Sequence, residues 1–379
     1  MAQRRLTMSN IQIGEPLQWD VTDASGHLLL RKGYIVERAS QVEALVARGL
    51  FVEATANAPI YGPANAAPPQ EAPSVLRSIN LANKRLDRLL FGLHNETDFP
   101  NKILEIAKIV TAAVDLNPDI AVACILLNQQ AVPYPIRHCV DTAVVSILIA
   151  RSMEIAREEI LTITAAALTM NVGMIKHHAQ LERKQYALSA ELLGLIRQHP
   201  EDSVKMLESA GVRDPNWLAY VLAHHEVEDG TGYPFGKAGN DIPRPAKIIA
   251  LADRYCACVS ARDFRKSTLP NIALRDIFLD KGKGIDHLLT TYFIKELGIY
   301  PPGTFVRLNN GEIGVVSKKG EGAATPIVHA LVGANGVPLA LPIKRNTATE
   351  TLAIKETLHE SQANIHFSMQ QIWGDEASF

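Results

Sequence analysis

Residues 55–74, TANAPIYGPANAAPPQEAPS, constrain this chain more than any other stretch. Proline removes backbone donors and fixes φ, so neither a helix nor a central strand runs through a segment this rich in it. Alanine supplies almost nothing to bury. The composition is that of a linker, and the chain must fold as separate bodies on either side. Its 379 residues allow this, because a chain of that length usually divides into more than one core.

Before the linker, LQWDVTD, a turn at Ala24-Ser25-Gly26, LLLRKG, a helix-like SQVEALVARG and a strand-like LFVE predict a small α/β module over residues 1–54. After it, residues 75–300 read as helical. In VDTAVVSILIARS, Val140, Ala143, Val144, Ile147 and Leu148 recur at helical spacing and predict one apolar face of an amphipathic helix. WLAYVLAHH and PAKIIALADRYCACVSAR repeat the pattern, with Pro245 suited to a first helical turn. Past Pro301-Pro302, short β-branched runs broken by Asn309-Asn310-Gly311, Gly320 and Gly333 predict a small antiparallel β subdomain over 301–358. Residues 359–379 read as a loosely ordered tail. The expected fold class is therefore mainly α, flanked by a small N-terminal α/β module and a small C-terminal β subdomain.

The net charge of −2 excludes a broad nucleic-acid surface, which needs a strong basic excess. No run approaches the length of a membrane span and the N-terminus lacks the apolar core of a secretory signal, so a cytoplasmic location is expected. Cys124, Cys139, Cys256 and Cys258 form no C-x-x-C pair and read as small buried hydrophobes.

Candidate ligands for chemistry are His138, His199 in RQHPE, the adjacent His224 and His225, and Asp253 inside an apolar helix. A lone helix-terminal histidine is more often a cap or a surface residue. Asp253 is different, because a buried carboxylate needs a cation or several donors. Two neighbouring histidines do not share a helix face, but at a helix end their rings can approach one ion. Glu226, Glu228 and Asp229 are acidic groups of a loop expected to be solvated. The loop DGTGYPFGKAGNDIP supplies glycines for left-handed turns and closes onto a helix.

The run HHE-x-x-DG-x-GYP-x-G-x-x-G-x-x-IP, then A-x-I-x-x-x-AD and R-x-x-R, resembles the HD-GYP family of bacterial signalling proteins across most of residues 135–345. The resemblance implies an HD-superfamily helical fold and metal-dependent hydrolysis of cyclic di-GMP. In such chemistry two cations lower the pKa of a water between them and neutralise the phosphoryl oxygens. It also implies His138 and Asp253 as ligands of one metal, and His199, His224 and His225 as ligands of the other. Gly230, Gly232, Tyr233 and Pro234 would form the loop that substrate or partner proteins read, and Arg262 and Arg265 would hold phosphate.

The family's H-D pair is missing. Aligning LLHDIGKI on LTMNVGMI puts Met170 at the His, Asn171 at the bridging Asp and Met174 at the Lys. Methionine is a soft ligand and asparagine offers only a neutral carbonyl, so a dinuclear centre is not expected. The expected cofactor is one divalent transition metal of iron or manganese type on the three remaining histidines. Three readings stay open: a weakly active or non-catalytic binding module, a phosphodiesterase working from a mononuclear site, and a scaffold that uses the GYP loop. Expected partners are a cyclic dinucleotide and other signalling proteins, with a homodimer left open.

Overall fold

A computed structural model describes residues 3–5, 11, 14–17, 19–22, 28–36 and 50–52 of the N-terminal part, and residues 72–128, 132–177, 190–261, 267–279 and 286–379 beyond it. The chain divides into two units, Met1–Gln70 and Glu71–Phe379. Most of the linker and the helix read over 40–49 lie outside the described residues.

In the first unit, β1 (Gln3–Arg5), β2 (Val21–Thr22), β3 (Leu28–Leu30) and β4 (Leu50–Val52) form an antiparallel sheet in the order β1-β4-β2-β3. Val21 and Val36 are fully buried, with Leu17 and Ile11 beside them.

The second unit begins with α1 (Val75–Phe91), α2 (Phe99–Leu116), α3 (Pro118–Leu127), α4 (Tyr134–Ser152) and α5 (Arg157–Thr169). A 3₁₀ segment, Val172–His177, leads on towards α6 (Ala190–Ser209) and α7 (Pro215–Ala223). Then come α8 (Arg244–Val259), α9 (Pro270–Leu279) and α10 (His287–Leu297). Pro245 does sit in the first turn of α8, where its missing N–H leaves no bond unmade. The fold class read from the sequence is the one observed.

Helix α4 departs from its expected amphipathicity. Every residue from Tyr134 to Ala150 is buried, because neighbouring helices cover its polar side as well as its apolar one. Arg137, His138, Asp141, Thr142 and Ser146 are thus carried into the interior, and α4 is the central helix rather than a surface one.

The 3₁₀ segment that follows Met170-Asn171 is fixed against α6 by one hydroxyl. Ser203 Oγ donates to the Met170 carbonyl and accepts from Gly173 N–H, each at 2.9 Å. Gly173 is needed there, since a Cβ would stand 2.7 Å from Ser203 N and 2.8 Å from His199 O. Both obstacles are backbone of α6, which cannot yield cheaply. Gly173→Ala should destabilise the fold by about 2–3 kcal/mol through overpacking. Urea unfolding checks this, and a change under about 0.5 kcal/mol, within the ordinary range for surface substitutions, would mean that the contact gives way freely.

After Leu297, β5 (Phe305–Leu308), β6 (Ile313–Lys318), β7 (Ile327–Val332), β8 (Pro338–Asn346) and β9 (Ile354–Leu358) form an antiparallel sheet in the order β8-β7-β6-β5-β9. Gly311 turns the β5–β6 hairpin at φ 91°, a left-handed conformation that suits glycine. The tail corrects the loosely ordered reading. It forms α11 (Glu360–Ala363) and α12 (Met369–Trp373), each with a capping box, then a closing 3₁₀ turn. Met369 and Ala377 are buried in the helical core, and Trp373 Nε1 donates to Ser317 O at 2.8 Å. Helices of four and five residues are too short for periodicity to show, yet the tail's scattered apolar side chains reach two cores at once.

Candidate metal and ligand site

Three histidines from two helix contexts converge. His199 lies in the middle of α6, directly before Pro200. Proline cannot donate to the carbonyl four residues back, which leaves Ile196 C=O without its helical partner. His199 takes it, with Nδ1–H donating at 2.6 Å. His224 stands where α7 ends, and its Nδ1–H donates at 2.6 Å to another end carbonyl, that of Val221. A carbonyl has no proton to offer, so both Nδ1 atoms carry theirs and both Nε2 atoms present bare lone pairs. The Nε2 atoms face each other at 3.2 Å.

His225 completes the group, its ring 4.1 Å from that of His224 and 5.0 Å from that of His199. Tyr233 stacks on the other side of it, 4.7 Å away at 28°. One potential ligand atom from each of the three histidines lies within 4.8 Å of the others. Burial, together with His224, pushes the His199 imidazole down to about 3. Burial likewise lowers His224 and, with His224 beside it, holds His225 well below the ordinary range. Neutral imidazoles aimed at one another repel unless a cation lies between them, so the donor set fits a divalent transition metal with nitrogen preference.

His138 and Asp253, expected as ligands of a second metal, are engaged with each other. His138 Nε2–H donates to Asp253 Oδ1 at 2.6 Å. Burial would raise the Asp253 carboxyl, but the His138 bond and the nearby imidazoles hold it well below the usual carboxylate range. Asn171, in place of a bridging carboxylate, is buried with its Oδ1 unpartnered. Met170 is fully buried in the core and Met174 is half-buried. Arg262 and Arg265 lie outside the described residues.

The loop is built around Glu226, whose carboxylate accepts from Phe235 N–H at 2.8 Å and Lys237 N–H at 2.9 Å. That carboxylate is buried and spent on backbone, so it is not the solvated acid the sequence suggested. Gly232 lets the loop cross its own start, since a Cβ would lie 2.5 Å from His225 O. Gly230 adopts φ 78°. Asp229 caps the turn by accepting from Thr231 N–H and Oγ–H. A cavity of about 400 Å³ opens beside the histidines, lined by His224, His225, Glu228, Lys247, Asp253 and Arg254 among others. Sequence reasoning missed Lys247, although it falls on the same helical stripe as Leu251 and Arg254.

Residues 126–289 match the HD domain family. The chain is 30% identical over 232 residues to a cyclic di-GMP phosphodiesterase of Pseudomonas aeruginosa, covering 61% of this chain and 56% of that protein. It is 26% identical over 180 residues to the cyclic di-GMP phosphodiesterase PdeB of Borreliella burgdorferi, covering 48% and 47%. An HDG"Y"P protein of Bdellovibrio bacteriovorus shares the fold, with TM-score 0.51, 15% identity, and coverage of 78% of this chain and 98% of that one. Residues 126–289 thus carry an HD domain, and the relatives and the shared fold support a likeness to the HD-GYP family. Met170-Asn171 stand where the resemblance leads one to expect the His-Asp pair. The match spans about half the length of the two phosphodiesterases. Among the described residues, no single helix is long and apolar enough to cross a membrane.

Proposed function

We propose that this chain is a signalling module that holds one divalent transition metal on His199, His224 and His225, binds a cyclic dinucleotide in the adjoining cavity, and hydrolyses it poorly or not at all. The facing Nε2 atoms of His199 and His224, with both Nδ1 protons tied to carbonyls, carry this reading. They aim two lone pairs at one point, with a His225 nitrogen within 4.8 Å of both. When bound, such a metal supplies positive charge for a phosphoryl oxygen and acidifies water.

The residues on the other side of the site do not support a second metal. Asn171 brings no charge, Met170 is a core side chain, and Asp253 already accepts the His138 proton donor. Two divalent cations would meet only one carboxylate among these residues, too little to offset their mutual repulsion. The two cyclic di-GMP phosphodiesterases that the chain resembles support a cyclic dinucleotide as the ligand class.

Anaerobic reconstitution with manganese or ferrous iron, followed by elemental analysis and incubation with cyclic di-GMP, tests the proposal. Close to one metal per chain is expected, lost in His224→Ala, with the dinucleotide bound and recovered intact. Two metals per chain with steady turnover would refute it.

A further inference from the structure

In the cavity beside the histidines a charge pair joins the loop to helix α8. Helix α8 turns one stripe towards the cavity, carrying Lys247, Ala250, Leu251, Arg254, Ala257 and Cys258. At the N-terminal end of this stripe, Lys247 Nζ reaches across to Glu228, 2.7 Å from Oε2 and 3.0 Å from Oε1. The other carboxylates that line the cavity have fixed partners. Glu226 holds the loop backbone, Asp253 accepts from His138, and Asp286 caps α10 through Leu288 N–H. Among the described carboxylates that line the cavity, Glu228 is the one paired with a lysine.

The two members of this pair differ in how easily they can leave it. The Lys247 side chain is 12% exposed and the Glu228 side chain 32%. An ammonium so deeply set requires an anionic partner. The carboxylate, nearer to water, can turn outward and be solvated at little cost.

We propose that Lys247 is the anion-binding group of this cavity and that Glu228 is its built-in competitor, displaced when a phosphodiester oxygen takes its place. This rests on the reading of the cavity as a cyclic-dinucleotide site. The exchange is one anion for another on the same ammonium, so Lys247 stays paired throughout. Ligand affinity is therefore set below its intrinsic value by the strength of the internal pair.

The test measures cyclic di-GMP binding to the manganese-reconstituted full chain by calorimetry, with metal content determined on the same samples. Glu228→Gln removes the competing charge and should tighten binding about tenfold. Lys247→Met should weaken it about tenfold and flatten its dependence on salt, because the lost contact is ionic. The double variant should resemble Lys247→Met, since without the ammonium there is nothing to compete for. Unchanged or weaker binding in Glu228→Gln, undetectable binding in both wild type and Glu228→Gln, or an unaltered salt dependence in Lys247→Met overturns the inference. Failure of the metal proposal has a separate signature: metal absent from every sample while the two affinity shifts persist.

Discussion

Met170→His, Asn171→Asp and Met174→Lys, made together, are expected to convert a protein that folds without metal into one that depends on it. Met170 is fully buried and Asn171 is 4% exposed, so the new imidazole and carboxylate enter the interior. The Asn171 Oδ1 already points where no protein donor meets it. Unpaired, these charges should cost the apoprotein about 3–5 kcal/mol. Metal at about a thousand times its dissociation constant would return roughly 4 kcal/mol. Urea unfolding with and without manganese reads both halves. Metal content should rise from one towards two per chain, and cyclic di-GMP hydrolysis should appear. A triple variant that stays stable without metal and takes none up would mean that these three positions do not face the histidines, and would favour an interaction module over a disabled enzyme.

Stripped of metal, the protein should be most stable near pH 6.5 and should lose stability faster on the acid side. The folded state keeps His199, His224 and His225 neutral at pH values where an unfolded histidine, titrating at 6.5, takes a proton. Below that value the unfolded chain binds more protons, so stability falls with pH by about 1.4 kcal/mol per unit for each suppressed site. Asp141 acts with the opposite sign. Burial, only partly countered by Arg137, raises its carboxyl from 3.8 to about 8, so its contribution is complete below 3.8 and lost as pH rises through 8. Below pH 6.5 the suppressed imidazoles outweigh the one carboxyl, leaving a net loss of stability on acidification. Above 6.5 only Asp141 acts, and the decline is shallower. Urea midpoints at pH 5.5, 6.5 and 7.5 after chelation check this; a flat profile would show that the buried rings take up protons within the fold.

Much of the fold was legible because helical periodicity is a local property. Val140 to Leu148 announced a helix, Pro245 announced a helix start, and Asn309-Asn310-Gly311 announced a hairpin. What periodicity does not report is how many sides a helix has covered, so the enclosure of α4 was not visible. The tail does carry a readable signal, since Ser368-x-x-Gln371 is a capping pattern. The three histidines could be picked out by type, but their orientation needed the fold. His-Pro within a helix does hint at it, because the proline frees a carbonyl that the preceding ring can use. The roles of Glu226 and the Glu228–Lys247 pair depend on a loop crossing itself and on a contact 19 residues apart, and no spacing rule encodes either.

The closing turn of the tail meets the first turn of α1. Ser74 Oγ donates to Ser378 O at 2.6 Å, and Arg77 Nη2 donates to Ser378 Oγ and Phe379 O at 3.2 Å each. Residues 74–77 and 378–379 of the second unit therefore lie side by side, so the first and last described points of its packing are neighbours in space. Such a body can be spliced into a surface loop of another protein, or reopened at a new site by circular permutation, without spanning its width.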